Sequence, residues 1–345
     1  MAAKTKTKQS PGPKKTVFLG RVSGNALDDC WVQLIEEESL TKKQLAEINP
    51  DERAFFPRRH ALLVRLAGTE RTVVRAMNTS TAQLFWACGD SCWRLGNRDG
   101  TPAVARHRVG HDPDVHLLKV DGAVPPHVGN RVLGRDETNV VIWQHASLGR
   151  PLEASRIWRF DGGSWMALPD VPAGFVQAVT IDARGTIWAV GAEWGAHRLR
   201  GGAWEWVPFA PTPTSFGHGS VVTSIAAHGD AVWVSTNHDH LYGGVPSEMT
   251  LQWNGPIGTP GHPKIAGFQW WRDELVVGAT SLYESKAMGV ARLVLKDGHT
   301  GSLPPRRAEM LVECAFVRGH AQPPIVDPRE RLLAASSGAL YEHDG

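Results

Sequence analysis

The stretch Ile181–Pro208, IDARGTIWAVGAEWGAHRLRGGAWEWVP, decides how the rest of the chain is read. It contains three short strands, Thr186–Gly191, Ala196–Arg200 and Ala203–Val207, punctuated by Arg184-Gly185 and Gly201-Gly202. Strands this short bury no core of their own, so the unit has to stack on copies of itself.

The copies are present. An apolar strand, often bearing a tryptophan, recurs at Leu84–Ala87, Val140–Trp143, Thr186–Ala189, Ala231–Val234, Glu274–Val277 and Arg331–Ala334. Trp143, Trp188 and Trp233 follow one another at intervals of 45 residues. A second strand ending in a polar phrase comes after it: Ile157–Gly162, His197–Gly201, Leu251–Gly255 and Leu340–Gly345. A period in the low forties with four strands per unit is the signature of an all-β propeller, here of six to seven four-stranded blades. Asp182–Gly191, with its Asp-x-x-Gly-x-Ile-Trp-x-x-Gly phrase, and the second-half phrases Ile157–Gly162 and His197–Gly201 resemble the Kelch-like and two-component-regulator-type propeller repeats. That resemblance is strongest between Val140 and Val234 and implies architecture, not activity. Glu309–Val317, Arg331–Ala335 and Ala339–His343 read as three strands of a last blade, with Thr16–Arg21 expected to supply the fourth and close the ring by pairing the N- and C-terminal strands.

Residues 1–15 carry five lysines and no acid, with Ser10-Pro11-Gly12-Pro13 among them, and read as a disordered basic tail ahead of a propeller domain over 16–345. One helix is expected near 39–48, where Thr41 and Gln44 have capping-box spacing and Asn49-Pro50 stops the run. A formal charge of +2 makes nucleic acid an unlikely partner apart from a weak contribution of the basic tail. No apolar run is long enough for a membrane span, and four cysteines are too few for a disulfide framework. A cytoplasmic chain is expected, and the Arg/Ala/Gly-rich body suits a bacterial, GC-rich genome.

P-loop, nucleophile-elbow, zincin and EF-hand motifs are absent, as is a sialidase-type Asp box. Cys88, Cys92, His107 and His111 have near-zinc-finger spacing, and Cys88 and Cys92 are placed to face each other across a hairpin. His238 and His240, flanking Asp239, project to one side of an extended segment, with His218 or His228 the nearest further ligand in sequence. A divalent metal is thus the one cofactor with any sequence support. The stronger argument is topological. The loops joining second and third strands emerge around one end of a propeller's channel. These loops are read as Gly89–Ser91, Gln144–Glu153, Glu193–Gly195, Thr236–Gly244, Ser281–Met288 and Ser336–Gly338. They carry His145, Arg150, Glu193, Trp194, His238, Asp239, His240, Tyr242, Tyr283, Glu284 and Lys286, the mixture of rigid aromatics and charge that a protein interface uses. The function expected is therefore a non-catalytic scaffold whose loop face binds another protein. A metal-dependent hydrolase, lyase or lactonase using His145, His238 and His240 with Glu193 or Asp239 as base is the alternative, and carbohydrate binding through Trp194, Tyr242 and Tyr283 a weaker one.

Overall fold

The computed structural model describes residues 14–26, 29–47, 49, 58–77, 85–99, 101–118, 130–144, 155–172, 176–217, 219–228, 230–238, 240–254, 265–271, 274–279, 289–294, 307–313, 325–326, 332–335 and 340–343. They contain seven antiparallel sheets, six of four strands and one of three, each a meander whose order in space follows the sequence. The chain is an all-β propeller. Blade one is Lys14–Ala26, Asp29–Ser39, Arg58–Ala67 and Glu70–Met77, and blade two is Phe85–Cys88, Ser91–Arg98, Thr101–Arg108 and Asp114–Leu117. Blade three is Asn130–Asp136, Asn139–Gln144, Ile157–Phe160 and Trp165–Ala167; blade four is Val176–Ile181, Ile187–Gly191, Gly195–Arg200 and Ala203–Pro208. Blade five is Val222–His228, Ala231–Thr236, His240–Gly244 and Thr250–Asn254, and blade six runs from Ile265–Trp271 to Arg307–Glu313. Ile325–Val326, Leu332–Ala335 and Leu340–His343 make blade seven.

The first strands of successive blades touch one another in order, and that of blade one also lies against the first two strands of blade seven. This contact is side by side. Thr16–Arg21, expected to pair with the last blade, instead pairs within blade one, Thr16 opposite Glu37 and Arg21 opposite Gln33. A hairpin between neighbouring segments closes at far lower entropic cost than a pairing between the two ends of the chain. Glu309–Val317 is corrected as well: Arg307–Glu313 is the outer strand of blade six, with Glu309 opposite Arg292. Residues 1–13 lie outside the described residues, while Lys15, assigned by sequence to the tail, is in the first strand with its Nζ 3.0 Å from Glu38 Oε1.

Local chemistry explains why the deciding stretch folds as it does. Asp182 Oδ1 accepts hydrogen bonds from the Arg184 and Thr186 amides at 2.8 and 2.9 Å, and Gly185 takes the positive φ of 80° that this turn requires. The turn delivers Trp188, whose indole N–H donates back to Asp182 Oδ2 at 3.1 Å. Trp188 packs against Val232 and Tyr242 of blade five, whereas its neighbours Ile187 and Ala189 pack against Val141 and Trp143 of blade three. A strand buried on both faces reads as a continuous apolar run, which is what Ile187–Gly191 is.

The tryptophan series extends further than its 45-residue spacing suggests. Trp31 packs against Phe85 and Ala87 of blade two, and Trp93 against Val140 and Ile142 of blade three. Trp31, Trp93, Trp143 and Trp188 thus all lie on second strands and all face the next blade. Leu84–Ala87, read from sequence as the counterpart of Val140–Trp143, falls on Phe85–Cys88, which is a first strand. Among the described residues the α-helix, Lys42–Glu47, lies in the connection between the second and third strands of blade one. Its capping box is reciprocal: the Thr41 amide donates to Gln44 Oε1 at 2.8 Å and the Gln44 amide to Thr41 Oγ1 at 3.3 Å.

Candidate functional site

Connections between second and third strands, and those between blades, share one end of a meander blade; the remaining turns share the other. On the first end, called upper here, fall the helix of blade one and residues 192–194 and 237–238. Gly89–Ser91 does not belong there. It joins the first and second strands of blade two, so it lies at the lower end, where Trp31 donates its indole N–H to Gly89 O at 2.9 Å.

At the upper end the seam between blades four and five brings several of the sequence-predicted residues together. Trp194 and Tyr242 meet edge to face with ring centroids 4.8 Å apart, and Phe209 and Phe216 flank Trp194 at 5.5 and 4.9 Å. Both rings are packed rather than displayed, Trp194 being 7% and Tyr242 4% exposed. The cause is residues 209–217, which run across the seam: the Trp194 indole N–H donates to Pro211 O at 3.1 Å, and Ser215 Oγ and Tyr242 Oη are 2.9 Å apart. Trp194 and Tyr242 therefore build the floor of the site, and the expectation of rings exposed for stacking is corrected. His240 is buried, with Nδ1 3.5 Å from Tyr242 Oη. His238 and Glu193 are exposed, and the Nε2 of His238 lies 3.3 Å from Ser220 Oγ. The two histidines do project to one side, with ring centroids 6.4 Å apart. His145, Arg150, Asp239, Tyr283, Glu284 and Lys286 lie outside the described residues.

The cysteine–histidine constellation is dispersed. Cys92 is opposite both Ala87 and His107, whereas Cys88 is opposite Ser91, so adjacent-strand registry puts Cys88 and Cys92 on opposite faces of blade two. Cys92 and His107 are buried together, and burial pushes the Cys92 thiol well above its ordinary range. His111 is exposed in the turn after Arg108. Among the described residues no group of three or more His, Cys, Asp or Glu side chains is arranged to hold a metal.

Two polar residues at this end escape the sequence reading. His197 sits opposite Ala189 and Trp206, is 6% exposed, and rests on the Trp206 ring at 4.8 Å. Neither of its ring nitrogens has a hydrogen-bond partner among the described residues. Arg131, opposite Trp143, is half-buried in the neighbouring blade. Burial lowers the His197 pKa from its ordinary 6.5, against a smaller opposing pull from Glu193. As pH falls below 6.5, the unfolded chain therefore takes up a proton that the folded one refuses, and stability drops until the depressed folded pKa is passed. His197→Gln should flatten this acid-side loss in urea midpoints measured from pH 7.5 to 5, leaving the part due to His116, which burial shifts the same way. An unchanged slope sinks the assignment.

No family model matches the chain, and no curated protein matches it. Solved structures do, at low identity. YCF48 bound to D1 peptide superposes with a TM-score of 0.53 at 11% identity, over 97% of this chain and 96% of that one. YCF48 from Cyanidioschyzon merolae gives 0.51 at 14% identity, over 94% and 95%. The β-propeller domain of the Trilobed protease from Pyrococcus furiosus, described as having an open velcro topology, gives 0.51 at 11%, over 95% and 93%. The likeness is one of fold.

Proposed function

We propose that this propeller is a non-catalytic binding platform that captures a segment of another protein at its upper end. The observation that carries it is that exposed Glu193 and His238 stand on the upper-end connections of the same seam that packs Trp194 and Tyr242 together under residues 209–217. Adaptable polar groups on a pre-organised floor are what selective capture of a peptide needs. YCF48, solved with D1 peptide, supports this use of the architecture. No helix among the described residues is long and apolar enough to cross a membrane.

Affinity capture with the tagged chain in its native cell, read by mass spectrometry, tests the reading. One partner at fixed stoichiometry is expected with the wild type, reduced about tenfold or more for Glu193→Lys/His238→Ala. The same partner held equally by both proteins moves the site elsewhere, and capture of none removes the reading.

A further inference from the structure

We propose that the upper half of the seam between blades three and four is a carboxylate-binding subsite, with Arg131 as its cation, for an acidic side chain of the captured peptide. This rests on the peptide-binding reading above. Directly opposed residues of adjacent strands share a face. Arg131 is opposed to Trp143, which packs against Val176, Val179 and Ala189 of blade four, so Arg131 faces that blade. His197, opposed to Ala189, faces blade three from the other wall. Arg131 stands near the upper start of its strand and Gly195, two residues before His197, at the upper start of its own.

The groups facing this seam carry N–H donors, and its described residues do not supply their acceptors. Among the described residues, the buried Trp143 indole nitrogen and both nitrogens of His197 have no partner, and Arg131 has no hydrogen bond or ion pair. The other seams treat their cations differently. Between blades one and two, Arg65 is paired with Asp29 and, at 3.2 Å, with Asp90. Between blades two and three, Arg106 reaches Ser91 Oγ at 2.8 Å and Glu137 at 3.6 Å. Trp188, in the seam after this one, gives its N–H to Asp182. A half-buried guanidinium without a counter-charge is costly, and its flat fork matches a carboxylate. One guanidinium on one wall, with an imidazole on the other, suits a single negative charge better than a multiply charged phosphate, in a chain whose formal charge is only +2.

The full chain, 15N-labelled at its fourteen tryptophans, offers a direct reporter, because Trp143→Phe identifies the Trp143 indole signal. The probes are acetyl-Ala-Glu-Ala-amide, its Gln counterpart and sodium acetate. A saturable shift of that signal is expected with the Glu peptide, at an affinity about tenfold or more above either other probe. Arg131→Met should bring the Glu peptide down to the level of the Gln peptide. If Arg131→Met loses native indole dispersion, Arg131→Lys replaces it, with about a three- to tenfold weakening expected because the fork is lost while the charge stays. Equal binding of the Gln peptide, wild-type binding by the Arg131 variant, or no shift with any probe overturns the subsite. Acetate matching the Glu peptide leaves a small-anion site and overturns the peptide assignment. Failure here with partner capture still lost in Glu193→Lys/His238→Ala removes the subsite alone; binding here with capture unaffected by those substitutions removes the loop-face reading alone.

Discussion

Trp194→Ala is expected to destabilise the chain by about 3–5 kcal/mol, the range for emptying a buried tryptophan site. Trp194 touches Phe209, Phe216 and Tyr242, so its removal opens a void that three other rings line. It also orphans Pro211 O, which accepts its indole N–H, and so removes a side-chain tether of residues 209–217, although the Phe209 amide still donates to Trp194 O. An aromatic displayed for recognition behaves differently: surface substitutions fall within about 0.5 kcal/mol, and only binding suffers. Glu193→Ala, one residue away and exposed, is the matched control and belongs in that small range. Urea unfolding followed by fluorescence and by circular dichroism reads both, with coincident transitions required before a midpoint becomes a free energy. Trp194→Ala with wild-type stability would mean that the ring is not the floor of the site.

Trp31→Ala is expected to cost at least as much, about 4 kcal/mol, and to do so at the opposite end of the molecule. Trp31 is fully buried between blades one and two, its N–H satisfied by Gly89 O and its face covered by the Arg65 guanidinium 6.0 Å from the ring centre. Removing it leaves a void, an unsatisfied carbonyl, and a buried arginine with less to rest on, although its Asp29 and Asp90 partners stay. Trp31→Phe keeps most of the volume and forfeits the hydrogen bond, so about 1–2 kcal/mol is expected. Hydrogen exchange gives the location: protection should fall in blades one and two well before blade five responds. Uniform loss round the ring would contradict a seam-by-seam account of stability.

The architecture was legible where the chain keeps its period. Thr186–Gly191, Ala196–Arg200 and Ala203–Val207 were found to within a residue or so of Ile187–Gly191, Gly195–Arg200 and Ala203–Pro208, because glycine turns mark their ends and apolar runs their middles. Blade two was shifted by one strand because Trp86 sits in a plausible apolar run. The repeated dipeptide Cys30-Trp31 and Cys92-Trp93 carried the true register, since each opens a second strand with a buried cysteine beside the tryptophan. At the candidate site, the polarity of Glu193 and His238 was readable from composition alone. The burial of Trp194 and Tyr242 was not, because their cover comes from residues 209–217, whose path is a tertiary matter. Arg131 and His197 look ordinary in sequence; only the face of the strand they share with Trp143 and Ala189 singles them out.

The common direction of Trp31, Trp93, Trp143 and Trp188, each turned toward the blade that follows, has a consequence for synthesis. A ribosome releases the chain from its N-terminus, so each of blades one to four arrives presenting an indole whose covering surface has not yet been translated. Through the first four blades the growing end of the half-made propeller is its greasy end, and each of blades two to five finds its docking surface already waiting. Assembly thereby acquires a polarity that the finished propeller no longer displays.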